Sequence, residues 1–474
     1  MIYPTPSWVY ESVIYQIFPD RFAIGKGKNV FDKEDLYKKR GGKIVTWDYQ
    51  PKHKPNIEHC FEFCGGDLWG IADKIDYLKD LGVNVIYTTP IFLSNSNHKY
   101  DTIDYLKVDP QFGGKKAFLH YLKTAKLNGF RVILDGVFNH VSKEHKWFKR
   151  ALKGDKEHLA KFSIYKNSYR AWQNVPDMPE WNWEEFSVQR YLLGVVEHYL
   201  KLGIDGWRLD VGFDVGYANN ALITSRAKAI SVEKYVVTET WNFPSNWEVV
   251  DGIMNYHFRE TVIGWLRNEL SNISCALQSA YDMTPNIYGC WNMLDSHDTQ
   301  RLATVIPDKE LRKLAIVLQF TYPGVPLIYY GSEIGIAGGW DPENRAPMIW
   351  DEKRWDKELR EFYKKLIEIR KRETALKIGE FKVLLDEPLV FLRKAPHVLD
   401  NIVVSINKSN KTEVAVSVPD GRLLAGTTFV DLFTGEEFWI VGGLLRFNVP
   451  ERGFRILKAT NKINKNYNQY KRIY

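Results

Sequence analysis

The sequence predicts an α/β chain built on a (β/α)8 TIM barrel, with a loop domain inserted after the third strand and an antiparallel β-domain at the C-terminus. Three observations predict it. Eight short β-branched or aromatic runs alternate with helix-period stretches as far as Arg372. The third and fourth runs are separated far more widely than the fourth and fifth. After Arg372 strand-like runs follow one another with no helical pattern between them.

In chain order the strand candidates are Ser12 to Phe18, Val83 to Thr89, Arg131 to Val137, Gly206 to Leu209, Tyr235 to Thr238, Gly252 to Asn255, Trp291 to Leu294 and Pro326 to Tyr330. Between them Ile71 to Leu81, Lys115 to Asn128, Val188 to Leu202, Glu260 to Leu270 and Asp308 to Phe320 carry apolar residues at three- and four-residue intervals. Eight such units fit a closed barrel better than an open sheet. From Asp135 to Asp210 is 75 residues, but from Asp210 to Glu239 only 29, which marks Val141 to Asn182 as an excursion rich in Trp and Tyr. A second excursion, Ala23 to Trp69, follows the first strand. The runs Glu380 to Leu385, Leu389 to Arg393, Ile402 to Asn407, Glu413 to Val418, Thr428 to Asp431 and Leu445 to Val449 predict the β-domain. The chain is thus expected to divide into a barrel of residues 1–140 and 183–378, an inserted domain of 141–182, a C-terminal β-sandwich of 379–460 and a basic tail of 461–474.

Composition excludes several classes. Lys plus Arg number 65 against 58 Asp plus Glu, and a net charge of +7 on 474 residues is too mild for a nucleic-acid groove. The excess falls partly in Lys33 to Lys54 and in Lys462 to Tyr474, which are expected to be mobile basic segments. No apolar run reaches the length of a membrane span, and Met1 to Trp8 lacks a secretory pattern, so a cytoplasmic protein is expected. Cys60, Cys64, Cys275 and Cys290 do not form a disulfide framework, and the Cys60/Cys64 spacing has no second pair to complete a zinc site. Aromatic residues make up 14%, enough to fill a core and still line a cleft that takes flat, partly apolar faces.

In such a barrel chemistry sits at the carboxyl ends of the strands. Those positions hold Asp135, Asn139 and His140, then Arg208 and Asp210, then Glu239, then His297 and Asp298. Singly, each has an ordinary explanation: a helix cap, an ion pair, a packed histidine. Their occurrence together at successive strand ends points to an acidic catalytic cluster.

Asp135-Gly-Val-Phe-Asn-His140, Gly206-Trp-Arg-Leu-Asp210, Glu239 within Val-Thr-Glu-Thr-Trp241, and Leu294-Asp-Ser-His-Asp298 resemble, in order, the four signature regions of the α-amylase family, glycoside hydrolase family thirteen. Tyr15-Gln-Ile-Phe-Pro-Asp-Arg-Phe22, Gly65-Gly-Asp-Leu-Trp-Gly70, Met178-Pro-Glu-Trp-Asn182 and Tyr329-Tyr-Gly-Ser-Glu333 are similar to the cyclomaltodextrinase, neopullulanase and maltogenic amylase group. Many members of that group carry an N-terminal β-domain that builds a dimer; this chain starts almost at the barrel, so a homodimer is expected only through another surface. Thr-Glu-Thr replaces the common Gly-Glu, and Val-Gly-Phe-Asp214 replaces the usual Ala-Asn-Glu pattern, which alters the acceptor side.

The resemblance implies a retaining hydrolase with Asp210 as nucleophile, Glu239 as acid and base, and Asp298 as the third carboxylate gripping sugar hydroxyls. Arg208 is expected to keep Asp210 ionised, and neighbouring carboxylates to keep Glu239 protonated. His98, Tyr100, His140 and His297 match residues around the sugar left of the cut, with Tyr100 stacking on its ring. Asp341 and Arg345 match a donor-side pair, and Trp241 is expected to wall the acceptor side. No cofactor and no metal are assigned; in calcium-dependent relatives the asparagine matching Asn139 is a ligand, but partner carboxylates are not evident here, which leaves calcium as a minority alternative.

The expected function is hydrolysis of α-1,4 bonds in cyclomaltodextrins and short maltooligosaccharides to maltose and glucose, with transglycosylation. A 4-α-glucanotransferase or oligo-α-glucosidase on the same scaffold is the nearest alternative, and a non-catalytic carbohydrate-binding relative the alternative of a different class. The expected partner is an oligosaccharide, not a nucleic acid or a membrane.

Overall fold

A computed structural model of the protein describes residues 4–165 and 168–463. Eight parallel strands close into a barrel: β1 (Ile14–Ile17), β2 (Val85–Thr88), β3 (Arg131–Gly136), β4 (Gly206–Leu209), β5 (Tyr235–Thr240), β6 (Gly252–Asn255), β7 (Trp291–Met293) and β8 (Val325–Tyr329), each bonded to the next and β8 to β1. All eight coincide with the apolar runs, because strands buried on both faces read as continuous hydrophobic segments.

Side chains alternate at a period of two, so every second residue faces the barrel interior. Ile14, Val85, Ile133, Tyr235, Val237, Met254, Trp291, Val325 and Leu327 form the packed interior, and Trp8 with Val9 from the short helix Ser7–Tyr10 packs against it. Continuing the same parity toward the carboxyl ends gives Gln16, Tyr87, Asp135, Arg208 and Glu239. The site is thus the top layer of the barrel filling, in which apolar residues give way to polar ones.

The helices that wrap the barrel are amphipathic with defined ends. In Phe186–Leu202 the Glu185 side chain accepts from the Ser187 N–H, the buried face runs through Val188, Leu192, Val195, Val196 and Tyr199, and Gly203 ends the helix at φ 116°. The expected helix Ile71 to Leu81 is two helices, Leu68–Asp73 and Ile75–Leu81, meeting at Lys74. Tyr217–Ile230, between β4 and β5, was not anticipated, since its polar residues are spread around the helix rather than gathered on one face.

The segment Lys33 to Lys54 is not a loose basic loop. It contains the helix Glu34–Lys39 and a short strand, and its cations are tied down: Lys33 to Asp67 at 2.8 Å, Arg40 to both oxygens of Asp109, Lys43 and Lys54 to Glu62. Opposite charges elsewhere in the chain, invisible to local composition, anchor it. The basic tail falls outside the described residues beyond Ile463.

After the helix Lys357–Arg372, eight antiparallel strands follow: β9 (Glu380–Leu385), β10 (Leu389–Lys394), β11 (Ile402–Asn407), β12 (Thr412–Val416), β13 (Thr427–Asp431), β14 (Glu437–Val441), β15 (Leu444–Val449) and β16 (Gly453–Ile463), in the order β9-β10-β11-β16-β13-β14-β15-β12. β14 and β16 were not anticipated; β14 alternates Phe438 and Ile440 inward with exposed Glu437, Trp439 and Val441. Alternate residues of β10 and β11 serve two cores. Phe391, Val404 and Ile406 join the main core with the barrel, while Val390, Leu392 and Val403 pack with Val414, Phe438 and Phe447. Among the described residues no helix is long and apolar enough to cross a membrane.

Candidate active site

The β4 end is shaped by backbone that only certain residues tolerate. Asp210 is followed by Val211 at φ 39°, a left-handed conformation costly for a β-branched residue. Its N–H donates to Glu239 Oε2 at 2.9 Å. At Gly212 an added Cβ would lie 1.7 Å from Thr238 Oγ1, so no side chain fits there. Asn220 fastens this turn, bonding the Gly212 carbonyl and accepting from Thr238. β4 and β5 are locked together immediately below the two acidic side chains they carry.

Arg208 lies at the centre, fully buried. Nη1 bonds Asp135 at 2.9 Å and Asp210 at 2.8 Å, and Nη2 bonds Glu239 at 2.6 Å. One guanidinium therefore holds three carboxylates. Asp135 is further bonded by the Tyr87 and Tyr100 hydroxyls at 2.6 and 2.9 Å. Glu239 accepts from Trp241 Nε1 at 2.8 Å on its other oxygen. On the far side, Arg345 Nη2 lies 3.4 Å from Asp298, Nη1 2.9 Å from Asp341, and Nε donates to the His297 carbonyl.

These groups surround a cleft of about 510 Å³. Of the residues singled out from the sequence, Asp210, Glu239, Asp298, His98, Tyr100, His140, Trp241, Asp341 and Arg345 line it, while Arg208 and His297 lie behind the wall. Cys60, Trp172, Gln173, Met178, Thr240 and Asn242 line it as well and were not foreseen as site residues, and Val211, Phe213 and Asp214 line it from the stretch after Asp210 that is expected to alter the acceptor side. For Trp172 and Met178 the aromatic richness of the excursion and the Met-Pro-Glu-Trp-Asn motif were the available signals. Trp172 stacks on His140, with ring centroids 5.4 Å apart. Gln173 and Asn174 take left-handed φ values of 47° and 60° in turning the excursion over the cleft. Nothing local marked Cys60 or Asn242.

Burial governs the protonation of the cluster. It pushes the Asp210 carboxyl well above the usual range; the pull of Arg208 opposes this, but Glu239, Asp135 and Asp298 add to the rise. The pull expected of Arg208 on Asp210 is thus present, but burial outweighs it. Burial, reinforced by Glu239, raises Asp298 to about 7. It lowers the His98 and His140 rings to about 3 and His297 well below its ordinary value, so all three are neutral hydrogen-bonding groups. His140 Nε2 is buried without a hydrogen-bond partner. Asn139 turns its amide onto His140 at 3.4 Å, and among the described residues no three His, Cys, Asp or Glu are grouped to hold a metal ion.

Trp241 gives a direct test of this geometry. Its ring is 49% exposed, packs on Tyr256 at 3.7 Å and donates its only N–H to Glu239. Trp241→Phe keeps the ring and removes the donor, so kcat/KM is expected to fall about tenfold, the worth of one hydrogen bond to a carboxylate, with the melting temperature unchanged. Steady-state kinetics and a thermal melt check both halves.

Comparison with known proteins fits this arrangement. Residues 16–379 match the family model "Alpha amylase, catalytic domain", and 381–456 match "Maltogenic Amylase, C-terminal domain". Neopullulanase 2 of Thermoactinomyces vulgaris is 37% identical over 477 residues, covering 95% of this chain and 78% of the relative. A cyclomaltodextrinase of Thermoanaerobacter pseudethanolicus is 38% identical over 434 residues, 87% of this chain and 73% of the relative. The structure of cyclic α-maltosyl-(1→6)-maltose hydrolase from Arthrobacter globiformis superimposes with a TM-score of 0.83 at 27% identity, covering 96% of this chain and all of that one.

Proposed function

Because this chain belongs to the α-amylase family, we propose that it is a retaining glycosidase cleaving α-1,4-glucosidic bonds of cyclomaltodextrins and short maltooligosaccharides to maltose and glucose, with transfer to sugar acceptors. The observation that carries the reading is the pair Asp210 and Glu239, held on the two ends of one guanidinium and both open to a cleft of oligosaccharide size. A retaining mechanism needs two carboxyls about 5–5.5 Å apart, close enough for one to attack the anomeric carbon while the other serves the leaving oxygen. A shared guanidinium supports such a close pair.

In this mechanism Glu239 gives its proton to the glycosidic oxygen as Asp210 bonds to the anomeric carbon. Glu239 then takes a proton from water, whose oxygen displaces Asp210 and restores the original configuration. Asp298, steadied by Arg345, grips hydroxyls of the same sugar. Tyr100 and His140 flank it, and Asp341 reaches the donor side. The exposed rings of Phe213 and Trp241 present apolar faces to the leaving sugar, the feature that favours transfer as a second reading.

The names of the relatives and the small cleft support cyclic and short substrates. Timed products from β-cyclodextrin, maltotriose and starch test this: reducing ends should appear fastest from the ring, with the first product in the α configuration. A β product rejects retention, and disproportionation without net reducing ends rejects hydrolysis in favour of a glucanotransferase. A cytoplasmic location is part of the proposal, supported by four free thiols. Self-association is part of it too, through the barrel or the C-terminal sheet, and sedimentation at micromolar concentration tests it.

A further inference from the structure

Behind the cleft wall a chain of hydrogen bonds runs from β1 to the carboxylate cluster, and its directions can be worked out. Gln16, fully buried on β1, places its amide nitrogen 2.8 Å from His297 Nδ1. His297 Nε2 meets the Tyr100 hydroxyl at 2.5 Å and lies 3.2 Å from Asp298 Oδ2. The Tyr100 hydroxyl lies 2.9 Å from Asp135 Oδ2.

Asp135 fixes the direction of the chain. Its carboxylate already accepts from Arg208 and from Tyr87, so it faces Tyr100 as an acceptor. The single Tyr100 proton therefore goes to Asp135, and the Tyr100 oxygen must receive a proton from His297 Nε2. A neutral imidazole carries one N–H only, so Nδ1 is an acceptor and Gln16 must donate to it through its amide N–H. The opposite assignment, with Tyr100 donating to His297, would set two acceptors, the Tyr100 and Asp135 oxygens, against each other at 2.9 Å. The forced orientation has a visible cost: Gln16 Oε1 is buried with no partner.

We propose that Gln16 is a positioning residue that fixes the Nε2–H tautomer of His297, so that this ring donates to the Tyr100 hydroxyl and holds Tyr100, which lines the cleft beside Asp298, in place. The burial and the cations Arg345 and Arg208 that keep the ring neutral are what make the tautomer decisive. With the proton on Nδ1 instead, the Nε2 lone pair would oppose both the Asp298 carboxylate and the Tyr100 oxygen. The inference rests on the hydrolase reading for its effect on rate, but the tautomer itself is a property of the free protein.

The test uses the full chain labelled with 15N, without sugar. Long-range 1H–15N spectra distinguish Nε2–H from Nδ1–H, and the His297 signals are assigned by their loss in His297→Gln. The wild type should show Nε2–H alone. Gln16→Glu, whose carboxylate accepts where the amide donated, should place a proton on Nδ1. It should lower kcat about 10- to 100-fold, with KM within about threefold. Gln16→Met, with neither donor nor acceptor, should lose the single tautomer and fall between the two in kcat; it serves equally if Gln16→Glu does not fold. A wild-type ring carrying its proton on Nδ1 overturns the proposal, and so does a folded Gln16 variant that keeps both the wild-type tautomer and the wild-type kcat. If instead the wild type shows Nε2–H while Asp210→Asn turns over normally, the hydrolase reading fails and the tautomer assignment stands.

Discussion

Asp210→Asn is expected to remove turnover, lowering kcat by roughly 10⁴-fold or more while sugar binding and the fold persist. Asparagine fills the same volume and keeps a carbonyl oxygen for Arg208, but it cannot form the glycosyl ester. Stability should move the other way. The Asp210 carboxyl is held well above its ordinary value, so the folded chain retains a proton there that the unfolded chain has released. That difference is absent in acid, below the unfolded value of about 4, and its cost accumulates as pH rises through the raised folded value. Asp210→Asn should therefore unfold like the wild type near pH 4 and at higher denaturant than the wild type at pH 8. For the same reason the acid limb of kcat/KM in the wild type should lie above the range of an ordinary aspartate, because the attacking group must first lose its proton. Denaturant midpoints at the two pH values and a pH-rate profile check these outcomes. Wild-type turnover in the variant would reject the mechanism, and an acid limb near pH 4 would reject the electrostatic account.

Arg208→Met should be the most destabilising single change in the site. The side chain is fully buried, and removing it leaves Asp135 and Asp210 in the barrel without their shared cation. Breaking a buried ion pair by deleting one partner costs about 3–5 kcal/mol. Two carboxyls whose folded values are already raised would rise further, so the loss should be largest at pH 8 and shrink toward pH 5 as protons replace the missing charge. Denaturant titrations at both pH values measure this. Equal losses at the two would mean that packing, not charge, is what Arg208 supplies.

The architecture of the barrel was legible because it is written in short-range patterns. The strands β1 to β8 are short, largely apolar or aromatic runs ended by polar residues, interrupted only at Gln16, Arg208 and Asn292 within β1, β4 and β7, a signal that survives without knowledge of neighbours. The C-terminal sheet was partly legible: β14 and β16 escaped because exposed Trp439 and half-buried Lys458 interrupt the apolar pattern a strand is recognised by. The basic character of Lys33 to Lys54 misled, since Asp67, Asp109 and Glu62, which neutralise it, come from more distant positions in the chain.

By itself the sequence determined which residues stand at the strand ends, through periodicity, and which chemistry they resemble, through the order of Asp210, Glu239 and Asp298. What only the tertiary structure decided is how they share protons and who stands behind them. That Arg208 serves three carboxylates, that Asp210 is pushed toward its protonated form, and that Gln16 reaches His297 across 281 positions of chain all follow from closing the cylinder. Closure brings charges from separate strands into one dry layer, where burial and Coulomb interactions depend on distance in space and leave no trace in spacing along the chain.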